Sequence, residues 1–205
     1  MTALVVCNGK PLNETDFKKF AESCDVIIAA DGGAKTALQY GIQPDYITGD
    51  MDSFDASEGV NSVIISDADQ ETNDLEKALN LALEKGIDEV FIVGATGQRT
   101  DHTLKNLSVQ LQFLPKFRLI KMIDDIFEYD IITRSLSKSI NIGTVISLFP
   151  LSGRVDGITT KGLKYPLNNE PLENGVRDGS SNEAVSEKIE ISISKGALLV
   201  MTARP

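Results

Sequence analysis

Two cysteines, one histidine and no tryptophan stand in a chain of 205 residues, and each scarcity removes a class of explanation. Cys7 and Cys24 form neither a CxxC pair nor a Cys/His set at metal-ligand spacing, which excludes a zinc-type centre. They read as buried thiols of a reducing compartment. Basic residues are also short: 20 Lys and Arg face 30 Asp and Glu, for a formal net charge of −10 and a pI near 4.6. Nucleic-acid binding draws on clustered Lys and Arg, so a phosphate-backbone partner is excluded. Any phosphorylated ligand needs a metal to offset the charge. No apolar run reaches the length of a membrane span, and "MTALVVCNGK" lacks a basic n-region. The expectation is a soluble cytoplasmic protein with no membrane partner.

What is present is a chain that is 41% hydrophobic, enough for a sizeable core and two domains. Residues 1 to about 125 alternate short apolar runs with helix-like segments. "ALVV", "VIIA", "YIT", "VIIS", "VFIV" and "LIKMI" read as strands covered on both faces. Helices are expected at 14–22, 33–40, 73–85 and 102–113. The third has Leu75, Ala78, Leu79, Ala82 and Leu83 at helical spacing, an Asn73/Glu76 capping box and a Gly86 stop. Such alternation implies a mostly parallel sheet with right-handed crossovers. Beyond residue 134, short alternating stretches broken by Gly, Pro, Asn and Ser predict an antiparallel sandwich or barrel. The domains are therefore drawn as 1–130 and 131–205, without a disordered linker.

The polar residues gather at the carboxyl ends of the expected strands. Asn8 and Gly9 follow the first, Asp31-Gly32-Gly33 the second, Asp50 and Asp52 the third, Asp67 and Asp69 the fourth, and "GATGQRTDH" the fifth. In an open α/β sheet that rim is where ligands bind. Neighbouring carboxylates repel one another, and a shared divalent cation relieves the repulsion. Hard oxygen ligands favour Mg²⁺ together with substrate phosphates. Asp and Ser also serve as ordinary turn and cap residues, which is the plainer reading of each segment alone. "ADGGA" allows close backbone approach to a ligand or is a tight turn. Arg99 suits a phosphoryl group, Asp101 is open between metal ligand, Arg99 orienter and helix cap, and His102 reads as a structural donor.

Taken together the segments "ADGGA" (30–34), "GDMDS" (49–53), "DQETNDLEKAL" (69–79), "GATGQRTDH" (94–102), "GLKYPL" (162–167) and "GSSNE" (179–183) resemble the thiamin pyrophosphokinase family, in order along nearly the whole chain. One departure is visible: the family's usual Thr-Asp pair reads Asn73-Asp74 here. The resemblance implies an N-terminal, mostly parallel α/β catalytic domain that binds nucleotide and metal, followed by a C-terminal antiparallel β-sandwich that binds thiamin. It also implies a homodimer with active sites between subunits, and transfer of the pyrophosphate group of ATP to the thiamin hydroxyl, giving thiamin diphosphate and AMP.

Carried onto this chain, the resemblance assigns Asp50, Asp52 and Asp74 to Mg²⁺ and makes these three, Arg99 and Asp101 the catalytic set. Asn8, Asp31, Gly32, Gly33, Gln70, Asn73, Arg99 and His102 fall to the nucleotide, and Ser181 and Asn182 to thiamin. With tryptophan absent, stacking on the thiamin rings falls to Phe, Tyr or a non-aromatic surface. A nucleotide sensor and a Mg²⁺-dependent phosphohydrolase are the rival readings of the same acids.

Overall fold

The computed structural model describes residues 1–50, 61–67, 69 and 71–205. The chain divides into two compact units, Met1–Asp125 and Ile126–Pro205. Strands of the first are β1 (Thr2–Val6), β2 (Val26–Ala30), β3 (Tyr46–Gly49), β4 (Val63–Ser66), β5 (Glu89–Val93) and β6 (Leu119–Ile123). They lie in the order β6-β5-β1-β2-β3-β4, each pair parallel. The parallel sheet follows from the intervening helices, α1 (Glu14–Ser23), α2 (Gly33–Gln39), α3 (Asp74–Glu84) and α4 (Thr100–Phe113), because a helical crossover returns the chain to the same end of the sheet. Leu4, Val6, Phe17, Ala37 and Val93 pack into one buried cluster under α1 and α2.

Helix α3 shows how local sequence sets an element's ends. Asn73 Oδ1 accepts from the Glu76 N–H at 3.0 Å. Only this half of the expected capping box forms. The Glu76 carboxylate turns toward α4, accepting from Gln112 Nε2 at 3.0 Å and pairing with Lys105 at 3.5 Å. At the other end Gly86 takes φ +71°, and the Gly86 and Ile87 N–H groups donate to Leu83 and Ala82 carbonyls, the paired bonds of a left-handed helix stop. Strand β4 departs from the two-face burial expected of it: Val63 and Ile64 are exposed. It is the terminal strand of its sheet, flanked by β3 alone among the described strands.

The second unit contains β7 (Phe127–Ile132), β8 (Ser135–Ser139), β9 (Val145–Pro150), β10 (Arg154–Lys161), β11 (Asn168–Glu173), β12 (Gly179–Glu183), β13 (Lys188–Ser192) and β14 (Leu198–Ala203). Two antiparallel sets, β12-β9-β14-β7 and β11-β10-β13-β8, share one core. Ile146, Leu148, Leu198 and Val200 from the first meet Val155, Ile158, Leu172, Ile189 and Ile191 from the second. This is the sandwich alternative, with apolar residues of both sheets turned inward. Among the described residues no helix is long and apolar enough to cross a membrane.

Candidate functional site

The first unit's sheet has a topological switch between β1 and β5. From β1 the chain builds outward through β2, β3 and β4, then returns to β5 and continues the other way to β6. Loops leaving β1 and β5 therefore diverge and open a crevice at the strands' carboxyl ends. A cleft of about 430 Å³ lies there, lined by Cys7, Asn8, Gly9, Ala30, Asp31, Asp50, Asn73, Asp74, Leu75, Gly94, Ala95, Thr96, Gln98, Arg99, His102, Thr103 and Asn106.

Close backbone contacts hold the two loops. The N–H groups of Cys7, Gly9 and Lys10 donate to the carbonyls of Val93, Gly94 and Thr96 at 2.8, 2.6 and 2.8 Å. A Cβ on Gly9 would lie 2.2 Å from the Gly94 oxygen, so only glycine permits the approach. Farther along the rim, Gly49 brings two acids together. A Cβ there would lie 2.7 Å from Asp31 Cβ and 3.2 Å from Asp74 Oδ1, with Asp50 next in the chain.

Asp31 is the most unusual member. It is 2% exposed, adopts φ +42°, and its Oδ1 has no hydrogen-bond partner among the described residues. Its N–H is fixed by the Thr48 carbonyl at 2.8 Å. A buried carboxylate oxygen without a donor costs free energy unless a cation or a ligand donor satisfies it. Left-handed backbone at a residue other than glycine is one of the strains that gather at functional sites.

Arg99, at the start of α4, grips Asp101 with two donors: Nε reaches Oδ1 at 3.1 Å and Nη2 reaches Oδ2 at 2.5 Å. The guanidinium holds the Asp101 carboxyl down at about 2, helped by the His102 N–H, and the carboxylate in turn raises Arg99. Asp101 thus orients Arg99 and accepts from the first turn of α4; it is not among the cleft-lining residues. Cys7 is buried on the cleft wall, and burial, then the Asp74 charge, pushes its thiol up to about 12.

Of the residues expected from sequence, Asn8, Asp31, Asp50, Asn73, Asp74, Arg99 and His102 converge on this cleft. Gly32 and Gly33 stand behind it and make room: a Cβ on Gly32 would meet Asn8 Nδ2 at 2.3 Å, and one on Gly33 the Val6 oxygen at 2.0 Å. Asp69 is engaged elsewhere, accepting from Glu71 N–H and the Thr72 hydroxyl in a turn, and Asp67 accepts from the Asp69 N–H. These two acids shape the approach to α3 and do not line the cleft. Asp52 and Gln70 lie outside the described residues. Sequence reasoning overlooked Thr96, Gln98, Thr103 and Asn106. On α4, Asn106 lies about one helical turn beyond His102 and Thr103, a polar face that helical spacing could have revealed.

In the second unit, Ser181 adopts φ +58° and its N–H donates to Ser147 Oγ at 3.0 Å. Asn182 is buried. Its Oδ1 accepts from the N–H groups of Tyr165 and Glu183 at 3.0 and 2.9 Å, and its Nδ2 donates to the Tyr165 carbonyl at 2.8 Å. The side chain thereby clamps "GLKYPL" against "GSSNE", and leaves Tyr165 exposed.

Among the described residues no group of three His, Cys, Asp or Glu side chains is arranged to hold a metal ion. Asp31, Asp50 and Asp74 line the same cleft, and the carboxylate oxygens they bring there are hard donors, the chemical type that Mg²⁺ takes one or two at a time beside substrate phosphates. Carboxylates, a Gly-rich loop and an arginine at the switch point of a parallel sheet define the class: a phosphate-handling α/β enzyme.

Comparison with known proteins narrows the class. Residues 17–123 match the thiamin pyrophosphokinase catalytic domain, and residues 132–198 match the thiamin pyrophosphokinase vitamin B1 binding domain. Thiamine pyrophosphokinase of Bacillus subtilis (strain 168) is 31% identical over 98% of this chain and 98% of its own. Thiamine pyrophosphokinase 2 of Arabidopsis thaliana is 30% identical, covering 80% of this chain and 70% of its own. The crystal structure of the Bacillus subtilis enzyme superimposes with a TM-score of 0.85 at 27% identity, over 99% of both chains. The Candida albicans structure shares the fold, with a TM-score of 0.85 at 20% identity over 100% of this chain and 90% of its own. The chain belongs to the thiamin pyrophosphokinase family.

Proposed function

We propose that the cleft at the ends of β1 and β5 takes the polyphosphate of Mg²⁺-bound ATP, and that the second unit takes thiamin. The activity is the family's own. The chain is an enzyme that transfers the pyrophosphate group of ATP to the thiamin hydroxyl, forming thiamin diphosphate and releasing AMP. The observation that carries the site assignment is the meeting of Asp31, Asp50, Asp74 and Arg99 on one cleft.

Phosphoryl transfer asks a protein mainly for positioning and charge stabilisation. Bound Mg²⁺ supplies neutralisation of the polyphosphate, and Asp50 and Asp74 would hold it, with Asp52 the third carboxylate of the set. Arg99 presents a planar, permanently charged donor fork to phosphate oxygens, pre-oriented by Asp101. Asn8, Asp31, Asn73 and His102 border the nucleotide. Gly32 and Gly33 permit the approach of Asn8 and of α2 to β1, and Gln70 joins this set. Ser181 and Asn182 shape the thiamin side through the clamped "GLKYPL" segment. The whole chain forms a homodimer with thiamin held between subunits, in the cytoplasm, a placement supported by the two free thiols.

The test is incubation with ATP, Mg²⁺ and thiamin, following AMP and thiamin diphosphate. Expected are equal amounts of the two products, no AMP without thiamin, and a loss of activity of about 100-fold or more in Asp50→Ala and Asp74→Ala. Sedimentation of the same sample is expected at twice the 22.2 kDa chain mass. ATP breakdown indifferent to thiamin overturns the reading in favour of a hydrolase.

A further inference from the structure

Asn106 is buried at 8% exposure, yet it lies on the cleft wall. Its Nδ2 donates to the Ala95 carbonyl at 2.8 Å, and its Oδ1 accepts from Asn73 Nδ2 at 2.9 Å. Asn73 in turn uses its Oδ1 to cap α3 through the Glu76 N–H. The residue immediately before Asp74 is therefore held at both ends of its amide. Direction is imposed along the chain of bonds: the cap fixes how Asn73 points, Asn73 fixes the oxygen of Asn106, and Asn106 can then only donate to Ala95. Three rim segments, the start of α3, the loop after β5 and the second turn of α4, are locked into one arrangement.

We infer that Asn106 is a positioning residue for the transfer reaction: its amide sets Asp74 against the loop that carries Arg99. The inference rests on the proposed role of Asp74 in holding the divalent cation. General packing of α4 on α3 has other supports, since Glu76 already meets Gln112 and Lys105. What the amide pair adds is placement of the residues at the cleft. Groups that orient metal-binding side chains at one remove cost 10- to 100-fold in metal affinity or activity when removed.

Asn106→Ala and Asn73→Ser separate placement from folding, because Ser retains the helix cap while deleting the donor to Asn106. Each variant is measured by Mn²⁺ titration with the free-ion EPR signal, by kcat and KM for thiamin-dependent AMP formation, and by thermal melting. Both are expected to lose about 10-fold or more in Mn²⁺ affinity and in kcat, with thiamin KM within about twofold of the parent. The double variant is expected to be no worse than Asn106→Ala, because the two residues act along one path. A lowered melting temperature with Mn²⁺ affinity and kcat unchanged overturns the inference, as does full additivity in the double variant. If Asp74→Ala leaves Mn²⁺ affinity unaltered, the metal role of Asp74 fails by itself. The kcat of Asn106→Ala then decides, and a value within about twofold of the parent overturns positioning.

Discussion

Cys7 lies beside Asn8 and Asp31 on the cleft wall, where a nucleophile would be at home, but its thiol is protonated at neutral pH because burial raises it to about 12. An unfolded chain gives up this proton near pH 8.5, so between there and about 12 the native state binds more protons. Stability due to the buried thiol is complete below that window and declines as pH rises through it. In urea unfolding at pH 9, 10 and 11, Cys7→Ala is expected to lose stability less steeply than the parent, by up to about 1.4 kcal/mol per pH unit. Equal slopes would show that the native thiol ionises normally. Much of the site was legible at this scale, since Asp31 and Asp50 follow apolar strands directly, Asn8 follows one at two residues, and Arg99 ends the Gly-rich loop after another. The conformation of Asp31 was not. Its φ of +42° arises where the Thr48 carbonyl takes its N–H, a contact with a residue seventeen positions away. Asn106 sits inside a helix, where spacing marks its face but only the contacts with Asn73 and Ala95 show what its amide does.

Among the elements, α2 sets propensity against packing. Gly33 opens the helix, and alanine is favoured over glycine in a helix interior by about 1 kcal/mol. Yet a Cβ there would lie 2.0 Å from the Val6 oxygen and 2.7 Å from its carbonyl carbon, both backbone atoms of β1 that cannot rotate aside. The steric cost of such overpacking, about 1–3 kcal/mol or more, outweighs the gain at the helix start. Gly33→Ala is expected to lower the melting temperature by roughly 5 °C; an unchanged or raised value would mean that α2 can move off β1. The same balance explains what could be read in advance. Helices and parallel strands of the first unit are local patterns of apolar spacing, and α3 even carries its stop signal in Gly86. Pairing in the second unit is not local. That β9 sits between β12 and β14, and that Asn182 clamps Tyr165, depend on segments brought together by the sandwich core, so alternation alone left sandwich and barrel equally open.

On the scale of the whole chain, a net charge of −10 disfavours a bare polyphosphate, and the cleft adds carboxylates to that field. A metal-complexed nucleotide resolves the conflict, because the cation offsets charge on both sides. Two units with separate cores and separate family matches divide the substrates in the function proposed above, and hydrogen exchange tests the division. A ligand present at 100 times its Kd stabilises the bound state by about 2.7 kcal/mol, which slows amides that open only after ligand release by roughly 100-fold. With Mg²⁺ and a non-hydrolysable ATP analogue at that level, slowing is expected at residues 7–9, 31–34 and 94–99. With thiamin alone it is expected to include 163–167 and 180–183, where the Asn182 clamp holds the two segments together. Buried core strands such as β14 are expected to open only on unfolding of their unit, so they report the ligand's effect on that unit as a whole. Nucleotide protection confined to 163–183, or thiamin protection absent there, would reverse the assignment of substrates to the two units.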